Sequence, residues 1–155
     1  MEFKIPKSLK LELEELQREL VRATKAGGKT GEAAKAVAEL LRPHVAKEEE
    51  FALPPLGILS ALANGGFTPE MEVVANLTEK LKAKHSLLLE EHKAIKAALK
   101  KVAAAARAEK KPEVTQLVEK LMFHAKVQEE FFYPASILVG ELIKAKSQTQ
   151  KKGYL

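Results

Sequence analysis

The spacing of hydrophobic residues along the chain predicts an all-α protein. Apolar residues recur every three or four positions almost throughout, and no stretch alternates β-branched with polar residues as a half-buried strand would. A first helix is predicted over residues 7–26, with leucines on its inward face and a pair of glycines at its end. A second helix is predicted from residue 30 to Pro54 and Pro55, which break or kink it.

The second half of the chain predicts two longer helices. The apolar segment 56–63 predicts a short extra helix, and Thr68-Pro69-Glu70 then forms a start signal in which Thr68 is the cap. The third helix runs from there past Val102, and a turn ending at Pro112 separates it from a fourth that ends near Ala145. Because the connections are short, we predict an antiparallel up-down-up-down four-helix bundle over residues 1–145, followed by a basic, flexible tail at 146–155.

Composition and charge narrow the class of protein. The chain has 155 residues, 46% hydrophobic and 30% charged, which predicts one domain with a real core. Four lysines in the last twelve residues account for most of the net charge of +5. With 22 lysines but only 4 arginines, nucleic-acid binding is disfavoured. Neither a membrane span nor a signal sequence is evident, so we expect a cytoplasmic protein without a membrane partner.

The candidate chemistry lies in histidines, since the chain has no cysteine. The second helix places six residues on one stripe, so that His44 and the carboxylate one turn later point into the core together: Val37, Leu40, Leu41, His44, Glu48 and Phe51. His92 lies on the apolar face of the third helix and His124 on that of the fourth. Three histidines on three helices are therefore expected to converge.

An internal repeat supports this convergence. The segment His44-Val-Ala-Lys-Glu48-Glu49-Glu50-Phe51-Ala-Leu-Pro54 reappears 80 residues later as His124-Ala-Lys-Val-Gln128-Glu129-Glu130-Phe131-Phe-Tyr-Pro134. Two helical hairpins related by a pseudo-two-fold axis would bring the two copies face to face. An imidazole and a carboxylate one helical turn apart can ligate one ion, and leaving Glu48 ionised and unpaired in a core would cost several kcal/mol. The pattern thus favours a metal site over histidines that merely bond to carboxylates in the core.

Four further residues receive structural interpretations. His85 lies two turns before His92, too far to share a metal, and is interpreted as a core or supporting histidine. Tyr133 is predicted to point away from the face of His124, so no redox role is assigned to it. Phe51 and Phe131 are interpreted as core packing that keeps water out of the site.

The ordered set of motifs resembles the hemerythrin, or HHE cation-binding, family. The resemblance rests on Arg42-Pro43-His44 with Glu48, on Glu91-His92, and on His124 with the segment that ends at Pro134. It implies a four-helix bundle holding a non-haem di-iron centre, in a family that binds or senses oxygen, handles iron, or responds to oxidative and nitrosative stress. The positions implied as metal ligands are those that match the family motif: His44, Glu48, His92 and His124.

The chain departs from this family at two positions. The first-helix histidine of the family falls at Leu16, and the carboxylate one turn after His124 is replaced by Gln128. Glu129 is a candidate metal ligand in place of Gln128. On an ideal helix it lies about 140° from His124 and needs a π-bulge to turn inward. We therefore expect one or two ions of non-haem iron, with zinc as the alternative metal and at most one ion held tightly.

Three functions remain open from the sequence. The leading hypothesis is a hemerythrin-like protein that binds iron and binds or senses dioxygen or redox state, without turnover. The second is a metal-free helical bundle that has lost ligands and serves as an interaction module. The third is an oxidoreductase, which requires an open coordination position and a path for substrate.

Overall fold

A computed structural model describes residues 3–153 of the chain, with side chains up to residue 151. This part of the chain is entirely helical, as predicted, and it forms a four-helix bundle. The long helices are α1 (Lys7–Thr24), α2 (Gly28–Lys47), α4 (Glu72–Ala108) and the pair α5 (Pro112–Val127) and α6 (Tyr133–Gly153); α3 (Leu59–Ala63) is short. No helix within residues 3–153 is long and apolar enough to cross a membrane.

The turn between α1 and α2 is closed by a carboxylate from α4's C-terminal end. Gly28 has a φ of 59°, a left-handed conformation that favours glycine. The carboxylate of Glu109 accepts hydrogen bonds from the backbone N–H groups of Lys29 at 3.2 Å and Thr30 at 2.8 Å. These bonds satisfy N–H groups that the first turn of α2 would otherwise leave unpaired.

Each copy of the repeated motif contains a π-helical segment. The first follows α2 as Glu48–Ala52, and the second joins α5 to α6 as Gln128–Phe132. Each begins four residues after the motif histidine and ends two residues before the motif proline. Proline cannot donate a backbone hydrogen bond, and its ring clashes with the carbonyl four residues earlier, so a wider turn before Pro134 lets the helix continue.

The hydrophobic core forms separate clusters on either side of the level at which the repeated motifs contact α4. One cluster of buried side chains includes Leu16, Leu20 and Ile95, and a second includes Phe51, Leu88 and Tyr133. His92 lies on α4 between Leu88 and Ile95, so the candidate site is enclosed by apolar side chains on both sides along this helix.

Three details of the fold differ from the sequence prediction. Leu40 is 40% exposed, because the buried stripe of α2 follows Val37 and His44 and leaves Leu40 at its edge. Thr68 makes no capping hydrogen bond; Pro69–Met71 forms a 3-10 turn before α4 begins. The last helix continues to Gly153 instead of ending near Ala145.

The extension of α6 follows from its packing on α4. Lys144 pairs with Glu79, and the hydroxyl of Ser147 donates to Glu72. The two helices also approach closely at Gly140, where an added Cβ atom would lie 1.8 Å from Oγ1 of Thr78. These contacts hold the last turns of α6 along the neighbouring helix.

Candidate metal centre

Three predicted ligands come together in the middle of the bundle. His44 from α2, Glu48 from the following π segment and His92 from α4 each offer one ligand atom, and these atoms lie within 4.8 Å of one another. The three residues are 1%, 3% and 2% exposed, respectively. The predicted convergence of His44, Glu48 and His92 is therefore present, and two imidazoles and one carboxylate form a set that could hold a metal ion.

A carboxylate fixes the orientation of each of these two histidines. Nδ1 of His44 lies 2.9 Å from Oε1 of Glu91, and Nδ1 of His92 lies 2.8 Å from Oε1 of Glu129. Because an ionised carboxylate only accepts hydrogen bonds, each Nδ1–H donates to it. The Nε2 atoms are consequently the ones directed to the shared centre, as in metal sites where an outer carboxylate orients the ligand.

Lysines on the bundle surface hold these two carboxylates in place. Lys47 donates to the second oxygen of Glu91, and Nζ of Lys96 lies 3.7 Å from Oε1 of Glu129. Burial raises the pKa of Glu91, but the hydrogen bonds from Lys47 and His44 outweigh that effect and hold the pKa below its usual value. Glu91 therefore stays ionised and keeps accepting from His44 at neutral pH.

The structure gives Glu129 a different place from the one predicted. The π segment turns it inward, as its use as a ligand requires, but its carboxylate contacts the outer nitrogen of His92 and lies outside the three-residue cluster. Glu129 and Glu91 consequently occupy matching positions, each bonded to a histidine of the cluster. Sequence analysis did not assign this role to Glu91, although its position directly before His92 was already part of the motif.

The prediction that Tyr133 points away from the site is wrong. Its side chain is fully buried, and its hydroxyl donates a hydrogen bond of 2.9 Å to Oε2 of Glu48. The same hydroxyl lies 3.5 Å from Nε2 of His44 and 3.4 Å from Nε2 of His92. An ideal helix would place Tyr133 on the side opposite His124, and the extra residue of the π segment turns it by about 100° toward the core.

The interpretation of Phe131 as core packing is wrong. Its side chain is 62% exposed, whereas Phe51 is 1% exposed as predicted. Both phenylalanines lie at the same position of a π segment, so the π segment alone does not decide their burial. In the second copy of the motif Tyr133 fills a buried position instead.

His124 lies beside the cluster and is connected to it through an amide. Nε2 of Gln128 donates to Nε2 of His124 at 3.1 Å, and Oε1 of Gln128 lies 3.0 Å from Nε2 of His92. On its other side, Nδ1 of His124 lies 4.0 Å from Oε1 of Glu12, a mostly exposed carboxylate. The structure therefore places His124 outside the three-residue set and brings Gln128 between it and His92.

Burial sets the protonation states of the cluster. It raises the pKa of Glu48 to about 8, with the hydrogen bond from Tyr133 opposing that rise. It also lowers the pKa of His44 and of His124, which favours neutral imidazoles. Within the described part of the chain, no lysine or arginine forms an ion pair with Glu48. Without a bound ion, the raised pKa therefore favours the protonated form of Glu48.

His85 stands apart from the cluster, in agreement with its interpretation as a supporting residue. Its ring meets the edge of Tyr133, with 6.0 Å between the ring centroids. Its Nε2 atom is buried and has no hydrogen-bond partner among the described residues. His85 thus packs against the residue that contacts Glu48 and offers no ligand atom to the group.

A cavity of about 500 Å³ leads from the surface to the cluster. Its lining is mostly apolar and comes from α1, α2, α4 and α5, and its inner wall includes His44, His92, His124 and Gln128. The path for small molecules that the enzyme hypothesis requires is therefore present in the fold.

Comparison with known proteins adds no relative. No protein-family model matches the chain, and no curated protein and no solved structure matches it. The resemblance to hemerythrins consequently rests on the sequence motifs alone.

Proposed function

We propose that this chain is a hemerythrin-like protein that binds one non-haem iron ion through His44, Glu48 and His92 and uses it to bind or sense dioxygen or redox state. The observation that carries the proposal is the convergence of three buried ligand atoms within 4.8 Å, with both imidazoles oriented from outside by carboxylates. Two histidines and one carboxylate are the donor set of many mononuclear Fe(II) sites.

The spacing of the donors suits a first-row metal. Ligand bonds of about 2.1 Å in a tetrahedral arrangement put neighbouring ligand atoms about 3.4 Å apart. Nε2 of His44 and Oε1 of Glu48 are 3.6 Å apart, so this pair needs almost no movement. The separations extend up to 4.8 Å, so the side chains have to close by up to about 1.4 Å around an ion at about that bond length.

The residues around the donors orient the ligands and control access to the site. Iron bound there would supply a centre that can change its oxidation state and interact with dioxygen. Glu91 and Glu129 hold the imidazoles in one tautomer, Tyr133 orients Glu48, and the apolar walls restrict water. The cavity gives a small molecule access to the same point.

The proposal includes the antiparallel helix order of hemerythrin-like bundles. It is supported by the short connections between α1 and α2 and between α4 and α5, and by the packing of α2, α5 and α6 on α4. Short connections favour antiparallel neighbours.

A metal-free interaction module is the second candidate, and a specific observation favours it. The hydroxyl of Tyr133 donates to Glu48, the amide nitrogen of Gln128 donates to His124, and both imidazoles of the cluster donate to outer carboxylates. Hydrogen bonds of this kind hold a buried polar network together without an ion. Gln128 and Leu16 would then record the loss of a former metal site.

Metal analysis separates the two candidates. The protein is purified without chelator, its metal content is measured, and the apo form is titrated with Fe(II) under anaerobic conditions and then exposed to air. We expect one equivalent of iron per chain and an absorbance change on exposure to air. His92→Ala, which removes one donor, is the matched control and should bind no iron. Failure of the wild type to hold iron, zinc or any other metal would establish the metal-free candidate, and two equivalents would contradict the single site.

A further inference from the structure

The cavity beside the cluster has the composition of a binding site for a largely apolar molecule. The polar residues of its lining include the buried His44, Glu48, His92 and Gln128 and the exposed Arg42 and Glu49. The aliphatic side chains of its lining include Leu13, Leu16, Leu20, Leu41, Ile95 and Leu121.

The size of the cavity exceeds what a packing defect explains. Protein interiors are close-packed, and dry cavities made by large-to-small substitutions are about 150 Å³. This cavity measures about 500 Å³. Pockets that bind small organic molecules span roughly 300–1,000 Å³ and are lined mostly by apolar side chains with a few polar groups.

The inner wall is not the place for a charged group of a ligand. Gln128 bridges His92 and His124, and carboxylates already occupy Nδ1 of His44 and of His92. Glu48 lines the cavity as well, with its carboxyl group bonded to Tyr133, and most of the remaining lining is aliphatic. An apolar end of a ligand therefore fits this side of the cavity.

The mouth of the cavity carries a cation without a counter-ion. Arg42 lines the cavity, is exposed, and forms no ion pair within the described part of the chain. Glu49 lines the cavity as well, but it lies seven residues further along, about 10 Å along a helix axis. A guanidinium binds a carboxylate with two parallel hydrogen bonds.

We infer that the cavity binds a medium-chain alkyl carboxylate, with the carboxylate at Arg42, the chain among the leucines, and the methyl end next to the cluster of His44, Glu48 and His92. The assignment of such a molecule as a substrate or effector of the metal site rests on the proposed function. Binding itself requires only the cavity and Arg42.

Decanoate is the probe, and its binding to the full-length, metal-free protein is followed by calorimetry and by methyl NMR shifts of leucine. Ala38 lines the cavity, so Ala38→Leu should fill part of it and weaken decanoate binding at least tenfold. Ala36, exposed on the same helix and absent from the lining, provides the matched control. Ala36→Leu should bind decanoate as the wild type does.

A second variant tests the carboxylate and remains informative if Ala38→Leu fails to fold. Arg42→Gln changes an exposed side chain and should weaken decanoate binding about tenfold while leaving the binding of decanol unchanged. The inference is overturned if the wild type does not bind decanoate, if both alanine variants bind it equally well, or if Arg42→Gln affects decanol as strongly as decanoate. Decanoate binding by a protein that takes up no iron would refute the proposed metal function and leave this inference intact.

Discussion

The hydroxyl of Tyr133 donates a 2.9 Å hydrogen bond to Oε2 of Glu48, joining two residues that are 85 positions apart. Glu48 belongs to the first copy of the repeated motif and Tyr133 to the second. The bond occupies one carboxylate oxygen, and the other oxygen lies 3.6 Å from Nε2 of His44. The candidate site is thus assembled across the two halves of the repeat, with each half completing the other.

Replacing Glu48 should separate metal binding from fold stability. Because burial raises its pKa to about 8, Glu48 must keep a proton in the fold that the unfolded chain readily gives up at pH 7. Glu48→Gln should therefore stabilise the metal-free protein by roughly 3 kcal/mol at pH 7 and lower its metal affinity. Chemical denaturation with and without chelator measures both effects.

Glu49→Gln is the matched control for this change, since Glu49 is exposed and directly follows Glu48. Its effect on the free energy of unfolding should stay within about 0.5 kcal/mol. Destabilisation of Glu48→Gln by about 3 kcal/mol, unaltered by chelator, would mean that Glu48 is an ionised member of a buried pair and would contradict the metal site.

The stability of the metal-free protein should depend on pH through the same residue. A carboxyl group whose pKa is raised in the fold stabilises the folded protein most below its ordinary pKa of 4.5. This stabilisation is lost as the pH rises to about 8. His44 acts in the opposite direction, because its lowered pKa costs stability as the pH falls below 6.5.

The difference in the free energy of unfolding between wild type and Glu48→Gln reports the titration of the carboxyl group without that of the histidines. It should change by about 1.4 kcal/mol per pH unit between pH 5 and 8 and then level off, with the wild type becoming progressively the less stable of the two. Urea denaturation of both apo proteins across this range measures it. A difference that does not vary with pH would show that Glu48 titrates alike in the folded and unfolded chain.

The two histidines of α4 should differ in their effect on the metal. His92 offers Nε2 to the cluster, whereas His85 packs on the edge of Tyr133 outside it. His92→Ala should abolish tight metal binding, and His85→Ala should retain one equivalent. Metal content after dialysis is the measurement, and release of metal by His85→Ala alone would place the site two turns of α4 away from the cluster described above.

The outer carboxylates should matter for affinity although they are not metal ligands. Glu91→Gln weakens the hold on Nδ1 of His44, and comparable changes around metal-binding histidines cost 10- to 100-fold in affinity. Competition with a chromophoric chelator measures the loss. Glu90→Gln, which alters the exposed neighbour paired with Lys93, should leave the affinity unchanged.

The second outer carboxylate offers an independent version of this experiment. Glu129→Gln should lower metal affinity by the same order, with the exposed Glu130→Gln as its control. If Glu129 were instead a ligand, its replacement would remove tight binding altogether, as His92→Ala is expected to do.

The parts of the site that were predictable are those on regular helix. Helical periodicity correctly brought His44 and His92 to the core, and it placed Glu48 one turn after His44, at the point where the π segment begins. The position of Tyr133 was predicted wrongly because a fixed 3.6-residue period does not hold across residues 128–132. Pro134, inside an otherwise continuous apolar pattern, was the sequence signal for that interruption.

Hydrogen bonds between side chains on different helices were harder to predict from the sequence. Glu91 adjoins His92 in the chain, yet its hydrogen bond goes to His44 on another helix. Which histidine Glu91 contacts depends on the relative depth and rotation of α2 and α4. The spacing of residues within one helix determines neither of these. The same holds for Lys47, whose partner lies 44 positions away.

The π segment at 128–132 makes the number of residues between His124 and Pro134 as important as their identity. Deleting any one residue there would restore a regular α-helix and rotate everything after it by about 100°. Tyr133 would leave the core, and α6 would present a different face to α4. A one-residue change of length in this segment would thus remove the buried hydroxyl beside Glu48 and change the packing of the whole last helix, whereas Tyr133→Phe would remove the hydroxyl alone.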